Sequence, residues 1–99
     1  MLIEPYHEAE AEAADVGTSP ERLEGLSHDF RPDVRYWVAK NPNTPPETLT
    51  RLAEDQNSSV RNSVEKNPST PPLVKLWLQS GGYSDMTLEE FLKATQETL

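Results

Sequence analysis

The chain repeats itself every 26 residues, and no other feature constrains its fold as strongly. Pro20, Pro46 and Pro72 are 26 apart, as are Thr18, Thr44 and Thr70. Aligning residues 19–44 with 45–70 gives 12 identities in 26 positions: Pro20/Pro46, Glu21/Glu47, Leu23/Leu49, Leu26/Leu52, Asp29/Asp55, Val34/Val60, Arg35/Arg61, Val38/Val64, Lys40/Lys66, Asn41/Asn67, Pro42/Pro68 and Thr44/Thr70. A third unit begins at Pro71 and breaks off near Gly81. A fixed period in this range marks a stacked array, in which each supersecondary unit buries its apolar face against the next.

Each unit has the pattern of a short helical hairpin. Thr44-Pro45-Pro46-Glu47 has the form of a capping box, in which the threonine oxygen accepts from the first turn and the glutamate reaches back. Proline is tolerated there because first-turn N–H groups lack helical partners. Leu49, Leu52 and Ala53 form an apolar stripe, which predicts a helix running to near Asp55. Gln56-Asn57-Ser58 is a polar turn, with Asn57 or Ser58 opening a second helix that carries Val60 and Val64. Asn67 suits a left-handed C-terminal cap, and Pro68 ends the helix. The first unit repeats this plan with Thr18-Ser19-Pro20-Glu21, then Leu23, Leu26 and Phe30, a break at Arg31-Pro32, and Val34, Trp37 and Val38. Helices this short do not persist alone, because nucleation costs more than a few hydrogen bonds return.

Both ends have the pattern of caps. Leu2, Ile3, Tyr6, Ala9, Ala13 and Val16 mark one face of a helix from near Pro5, with Glu8, Glu10, Glu12 and Asp15 toward water. At the other end Gly81-Gly82 closes a helix, and Thr87-Leu88-Glu89-Glu90 is another capping box, leading to Phe91 and Leu92. The expected organisation is therefore an acidic N-terminal capping helix at 1–17, helical repeats at 18–82 and a C-terminal capping helix at 83–99. The fold class is all-α, a right-handed α-α superhelix of short hairpins.

The net charge of −8 follows the same division. Residues 1–17 carry five acids and no Lys or Arg, 18–82 carry eight acids and eight bases, and 83–99 carry four acids and one base. Nucleic-acid binding needs clustered Lys and Arg to displace counterions, and this chain has no such run. The absence of cysteine excludes disulfides and thiolate chemistry and suits a reducing compartment. With no apolar run long enough to span a membrane and no signal-peptide pattern at Met1–Glu10, the expected location is cytoplasmic.

The sequence resembles two related families. Asp29 in D-F-R-P-D-V-R and Asp55 in D-Q-N-S-S-V-R each stand six before an arginine, which resembles the core of HEAT-like repeats. Val34–Leu49, V-R-Y-W-V-A-K-N-P-N-T-P-P-E-T-L, is similar to the variant leucine-rich repeat, a short bacterial unit of paired stacked helices. The likeness covers roughly residues 18–80. It implies architecture and a generic binding role, with no chemistry of its own. Some variant-repeat proteins hold an iron–sulfur centre on an N-terminal cysteine cluster, which this chain lacks, so no cofactor is carried over. The HEAT-like likeness also implies that Asp29, Arg35, Asp55 and Arg61 form a structural ladder within and between units. Asn41 and Asn67 are expected to satisfy turn backbone groups beside it.

No catalytic, cofactor or metal site can be assembled from the residues. His7 and His28 lack a second ligand at metal spacing, and no serine has a base at a telling separation. The positions that break the repeat are the better candidates for an interface. Tyr36 and Trp37 stand where the next unit has Asn62 and Ser63, and Trp77 stands where the others have Gly25 and Arg51. Exposed aromatics of this kind anchor protein interfaces. Alternatively, Tyr36 and Trp37 pack under the N-terminal helix, and Trp77 packs against Leu88, Phe91 and Leu92. The expected function is a non-enzymatic interaction module or small adaptor, monomeric or homodimeric, whose acidic ends favour a basic partner surface. The alternative is a nucleic-acid-binding groove lined by Arg31, Arg35, Lys40, Arg61 and Lys66, which requires these five to share a face free of acidic partners.

Overall fold

The computed structural model describes residues 5–81 and 86–97. The expectations placed on Leu2, Ile3 and Gly82, and on the side chains of Tyr6 and His7, lie outside that description. Seven helices and no strands occur among the described residues: α1 (Pro5–Ala14), α2 (Pro20–Leu26), α3 (Pro32–Lys40), α4 (Pro46–Leu52), α5 (Ser58–Lys66), α6 (Pro72–Gln79) and α7 (Leu88–Glu97). α1, α3 and α5 stack in one row, while α2 and α4 pack along its side as the first helices of each hairpin. α6 continues onto α5, and α7 packs on α6. The result is an all-helical repeat solenoid. The helices α2, α3, α4 and α6 each open on proline, where the fixed φ suits the first turn and the missing N–H costs nothing.

The apolar positions of the two units converge on one continuous core. Leu23, Val34, Val38, Leu49, Leu52, Val60 and Val64 are buried in it, with Ala13 at one end and Val74, Trp77 and Leu88 at the other. Burying a side chain of this size contributes about 1.5–3 kcal/mol, so the shared core supplies what helices of seven to ten residues cannot supply alone. Among the residues expected on apolar faces, Trp37 of α3 and two residues of the connections do not join it. Phe30 is 85% exposed in the connection between α2 and α3, and Val16 lies outside the core after α1.

The hairpin starts differ from the capping boxes expected at the Thr-Pro steps. α4 begins at Pro46, no side chain caps it, and it ends at Leu52, short of Asp55. Thr44 instead turns inward, and its Oγ1 donates to the Val38 carbonyl at 2.7 Å. Thr18 and Thr70 make the same bond to Glu12 and Val64, each six residues back. The threonine thus ties the connection to the helix just finished. True side-chain caps occur elsewhere: Ser19 accepts from the Arg22 N–H, Asn57 from Ser59 and Val60, and Thr87 and Glu90 cap one another reciprocally at 2.8 and 3.1 Å.

Asn41 and Asn67 correct a second expectation. Their φ values are −74° and −75°, so neither is a left-handed cap. Each sends its side-chain amide across to the preceding row. Asn67 Nδ2 donates to the carbonyls of Ala39 at 2.7 Å and Asn41 at 3.0 Å, and Asn41 Nδ2 donates to those of Ala13 at 2.9 Å and Asp15 at 2.8 Å. The Oδ1 atoms close the turn locally by accepting from Asn43 and Ser69 N–H. Because Ala13 and Asp15 lie one period before Ala39 and Asn41, α1 occupies the place of a second hairpin helix from a preceding unit.

Candidate interaction surface

The aspartates and arginines shared by the repeats are bonded within the fold. Arg35 is only 8% exposed, and its guanidinium spans two units. Nε and Nη2 donate to the Asp55 carboxylate at 2.7 and 3.2 Å, and Nη1 donates to the carbonyls of Asp29 and Phe30, both at 2.9 Å. Arg61 Nη1 repeats the backbone bond, to the Asp55 carbonyl at 2.8 Å. Asp29 and Arg35 therefore meet through the Asp29 backbone, while the Asp29 carboxylate binds Arg31 at 2.8 Å through both oxygens. The hydrogen bonds from Arg31 hold the Asp29 carboxyl at about 2, against the desolvation that works to raise it.

A second polar cluster joins α2 to α4. Glu24 accepts from Thr48 at 2.9 Å, from His28 at 2.5 Å and from Arg51 at 3.3 Å, and Arg51 also bonds Ser27. Burial opposes ionisation of Glu24, but the hydrogen bonds from Thr48, His28 and Arg51 outweigh it and lower its pKa. Among the described residues no group of three or more His, Asp or Glu side chains converges as metal ligands would. None of their helices is long and apolar enough to cross a membrane.

Of the three aromatic candidates, the structure brings two together and removes the third. Trp77 is 1% exposed, inside the core with Leu88, Phe91 and Leu92, and its indole N–H donates to the Met86 carbonyl at 3.0 Å. It is a core residue, as the alternative packing role anticipated, and offers no surface. Tyr36 is half-buried against the core, and Trp37 is 36% exposed. Their rings meet edge to face, with centroids 5.2 Å apart. The Lys40 ammonium lies 5.4 Å from the Tyr36 centroid and 5.6 Å from that of Trp37. One turn of α3 thus presents a contacting aromatic pair with a cation over it.

Phe30 is an exposed aromatic that the repeat pattern concealed, because it falls on a helical apolar spacing after Leu26. Its counterpart in the next unit, the polar Gln56, was the available signal that the position faces water. The Arg31 guanidinium sits 5.4 Å from the Phe30 ring. The basic groove of the alternative reading is not assembled. Arg31 and Arg35 are both engaged with carboxylates, whereas Lys40 and Lys66 line a cleft between α3 and α5.

The model of the family described as the Leucine Rich Repeat Variant domain matches residues 7–60 and again residues 39–94. No curated protein and no solved structure matches the chain.

Proposed function

The chain belongs to the leucine-rich repeat variant family, and from that premise we propose that it is a non-catalytic protein-interaction module whose docking surface is the exposed side of α3 and α5. The observation that carries this reading is the Tyr36–Trp37 pair. Two large rings placed edge to face at 5.2 Å remain partly open to water, although each would bury more area in the core. Aromatics held rigid in this way lose little side-chain entropy on binding, which is why they dominate interface energetics. The repeat supports the same face, because Arg35 and the repeated asparagines are occupied in joining units and leave the outward positions of α3 and α5 to differ. A basic patch on the same partner would meet α1 and its end, where Glu8 and, just past the helix, Asp15 are exposed.

A photo-crosslinking side chain placed at Trp37 should capture a discrete partner in lysate of the source cell. The same group at Glu54, exposed beyond α4, should not. Capture from both positions alike, or from neither, would remove the assignment of this face.

A further inference from the structure

We propose that the cleft between α3 and α5 receives an acidic peptide segment of a partner protein, with Lys40 and Lys66 holding its carboxylates. This rests on the interaction-module reading and specifies its chemistry. The cleft has a volume of about 300 Å³ and is lined by Tyr36, Pro68, the exposed Ser59 and Asn62, and a lysine from each helix. Lys40 and Lys66 occupy the same place in successive units and are the last residues of their helices. Neither makes an ion pair among the described residues, and no carboxylate lines the cleft. The contrast with the arginines is sharp: Arg22, Arg31, Arg35 and Arg51 each meet a carboxylate of this chain. Lys40 Nζ donates to the Tyr36 hydroxyl at 3.4 Å and lies over the Tyr36 and Trp37 rings, so in a chain of net charge −8 both lysines line this cleft without a carboxylate of the chain to neutralise them.

The spacing suits an extended peptide. Packed helices are about 8–10 Å apart, which sets the backbone spacing of equivalent lysines on that order. Alternate side chains of an extended strand lie about 7 Å apart, within reach of two flexible lysines. The Tyr36 ring and Pro68 offer apolar contact to a residue between the two acids, and the Asn62 amide and Ser59 hydroxyl can bond the peptide backbone. A nucleic-acid strand fits less well. Two cations neutralise too few phosphates, and the overall negative field opposes a long polyanion. The lysines also sit at helix C-termini, where they favour the macrodipole without any ligand, and a role confined to that would show in stability alone.

The test is fluorescence anisotropy with the full chain and a short fluorescein-labelled peptide of alternating Glu and Phe. Controls are the Gln-for-Glu peptide and a single-stranded oligonucleotide of similar length. The acidic peptide should bind, the Gln peptide should bind at least about tenfold more weakly, and Lys40→Gln/Lys66→Gln should weaken the acidic peptide by about tenfold or more. That loss should shrink as salt rises, while the melting temperature of the double variant stays within a few degrees of the parent. The proposal is overturned if the acidic peptide does not bind, if the double variant binds it equally well, or if the oligonucleotide binds more tightly. It is also overturned if the cleft proves to be filled by a second copy, seen as salt-sensitive self-association that the double variant loses. Partner capture from Trp37 that survives in the double variant would leave the module reading intact while removing the acidic peptide.

Discussion

Asn67 donates its side-chain amide to the backbone carbonyl of Asn41, its own counterpart one repeat earlier, at 3.0 Å. The same nitrogen also donates to Ala39 at 2.7 Å, and both bonds are buried. Asn67→Ala would remove the side-chain donor from the buried Ala39 and Asn41 carbonyls, of which Asn41 keeps the Thr44 N–H, and the acceptor of the part-buried Ser69 N–H. We expect a loss of about 2–4 kcal/mol, read from chemical denaturation. Asn67→Asp should be no better, since a carboxylate cannot donate to either carbonyl. A variant with parental stability would show that the amide is dispensable.

Arg35 and Asp55 form the most enclosed ion pair of the described chain, with side chains 10% and 8% exposed. Arg35→Ala takes the charged partner from the buried Asp55 carboxylate, which keeps the Asn57 N–H, and a donor from two carbonyls, and a cost of about 3–5 kcal/mol is expected. Asp55→Asn should cost less, because the amide oxygen still accepts. A double-mutant cycle should give a coupling of at least about 1 kcal/mol. Additive losses would mean that the two side chains act separately.

Much of this was legible in the sequence for a physical reason. Helix positions follow from spacing along one unit, as at Leu49 and Leu52 or Val60 and Val64, and proline fixes where helices start. What could not be read were groups whose partners lie one unit away. Asn67 looked like a local cap because nothing in its own unit reveals the Ala39 carbonyl. Thr44 looked like half of a capping box because Glu47 follows at the right interval, yet its hydroxyl faces Val38. The α1 helix was recognised as a helix but not as part of the array. Few of its residues match the later units, and Ala13, in phase with Ala39, and Thr18, in phase with Thr44 and Thr70, record its place.

Acid should weaken the fold in a defined window. The Asp29 carboxyl has a folded pKa of about 2 against an ordinary 3.8, and those of Glu12, Glu24 and Glu90 are lowered as well. Lowered folded values mean that the stabilisation is complete above the ordinary carboxylate range and is lost as pH falls from about 4.5 toward 2. For Asp29 the loss is about 1–2 kcal/mol after solvent screening. Asp29→Asn should flatten the lower part of the profile of unfolding free energy against pH. An unchanged slope would count against the Asp29–Arg31 bond.

The two tryptophans should report separate environments. Trp77, enclosed and bonded to Met86, should emit to the blue and resist acrylamide, whereas Trp37 should emit to the red and be quenched readily. Trp77→Ala should cost about 3–5 kcal/mol. Trp37→Ala should cost well under half of that, with its larger effect on partner capture by a crosslinker at the exposed Asn62 of α5. Equal quenching of both residues would contradict their placement.

Changing Glu8 to Gln should leave stability unchanged or slightly raised by relieving like-charge repulsion on α1. Glu12→Gln should instead lower it by up to about 1 kcal/mol, because Glu12 takes a two-pronged bond from Arg22 at 2.7 and 2.9 Å on the exposed surface. Thermal unfolding of the two single variants separates them.

The asparagine bridge has a consequence for how such a protein can change over generations. Its acceptors are main-chain carbonyls, which any residue provides, and its donor is one side chain carried within the unit itself. A tandem duplication of 26 residues therefore brings both halves of the new joint with it, whatever has happened to the sequence next door. Length can grow by copying while outward positions such as Tyr36 and Asn62 drift independently, so one ancestral segment can yield an array whose neighbouring modules recognise different things.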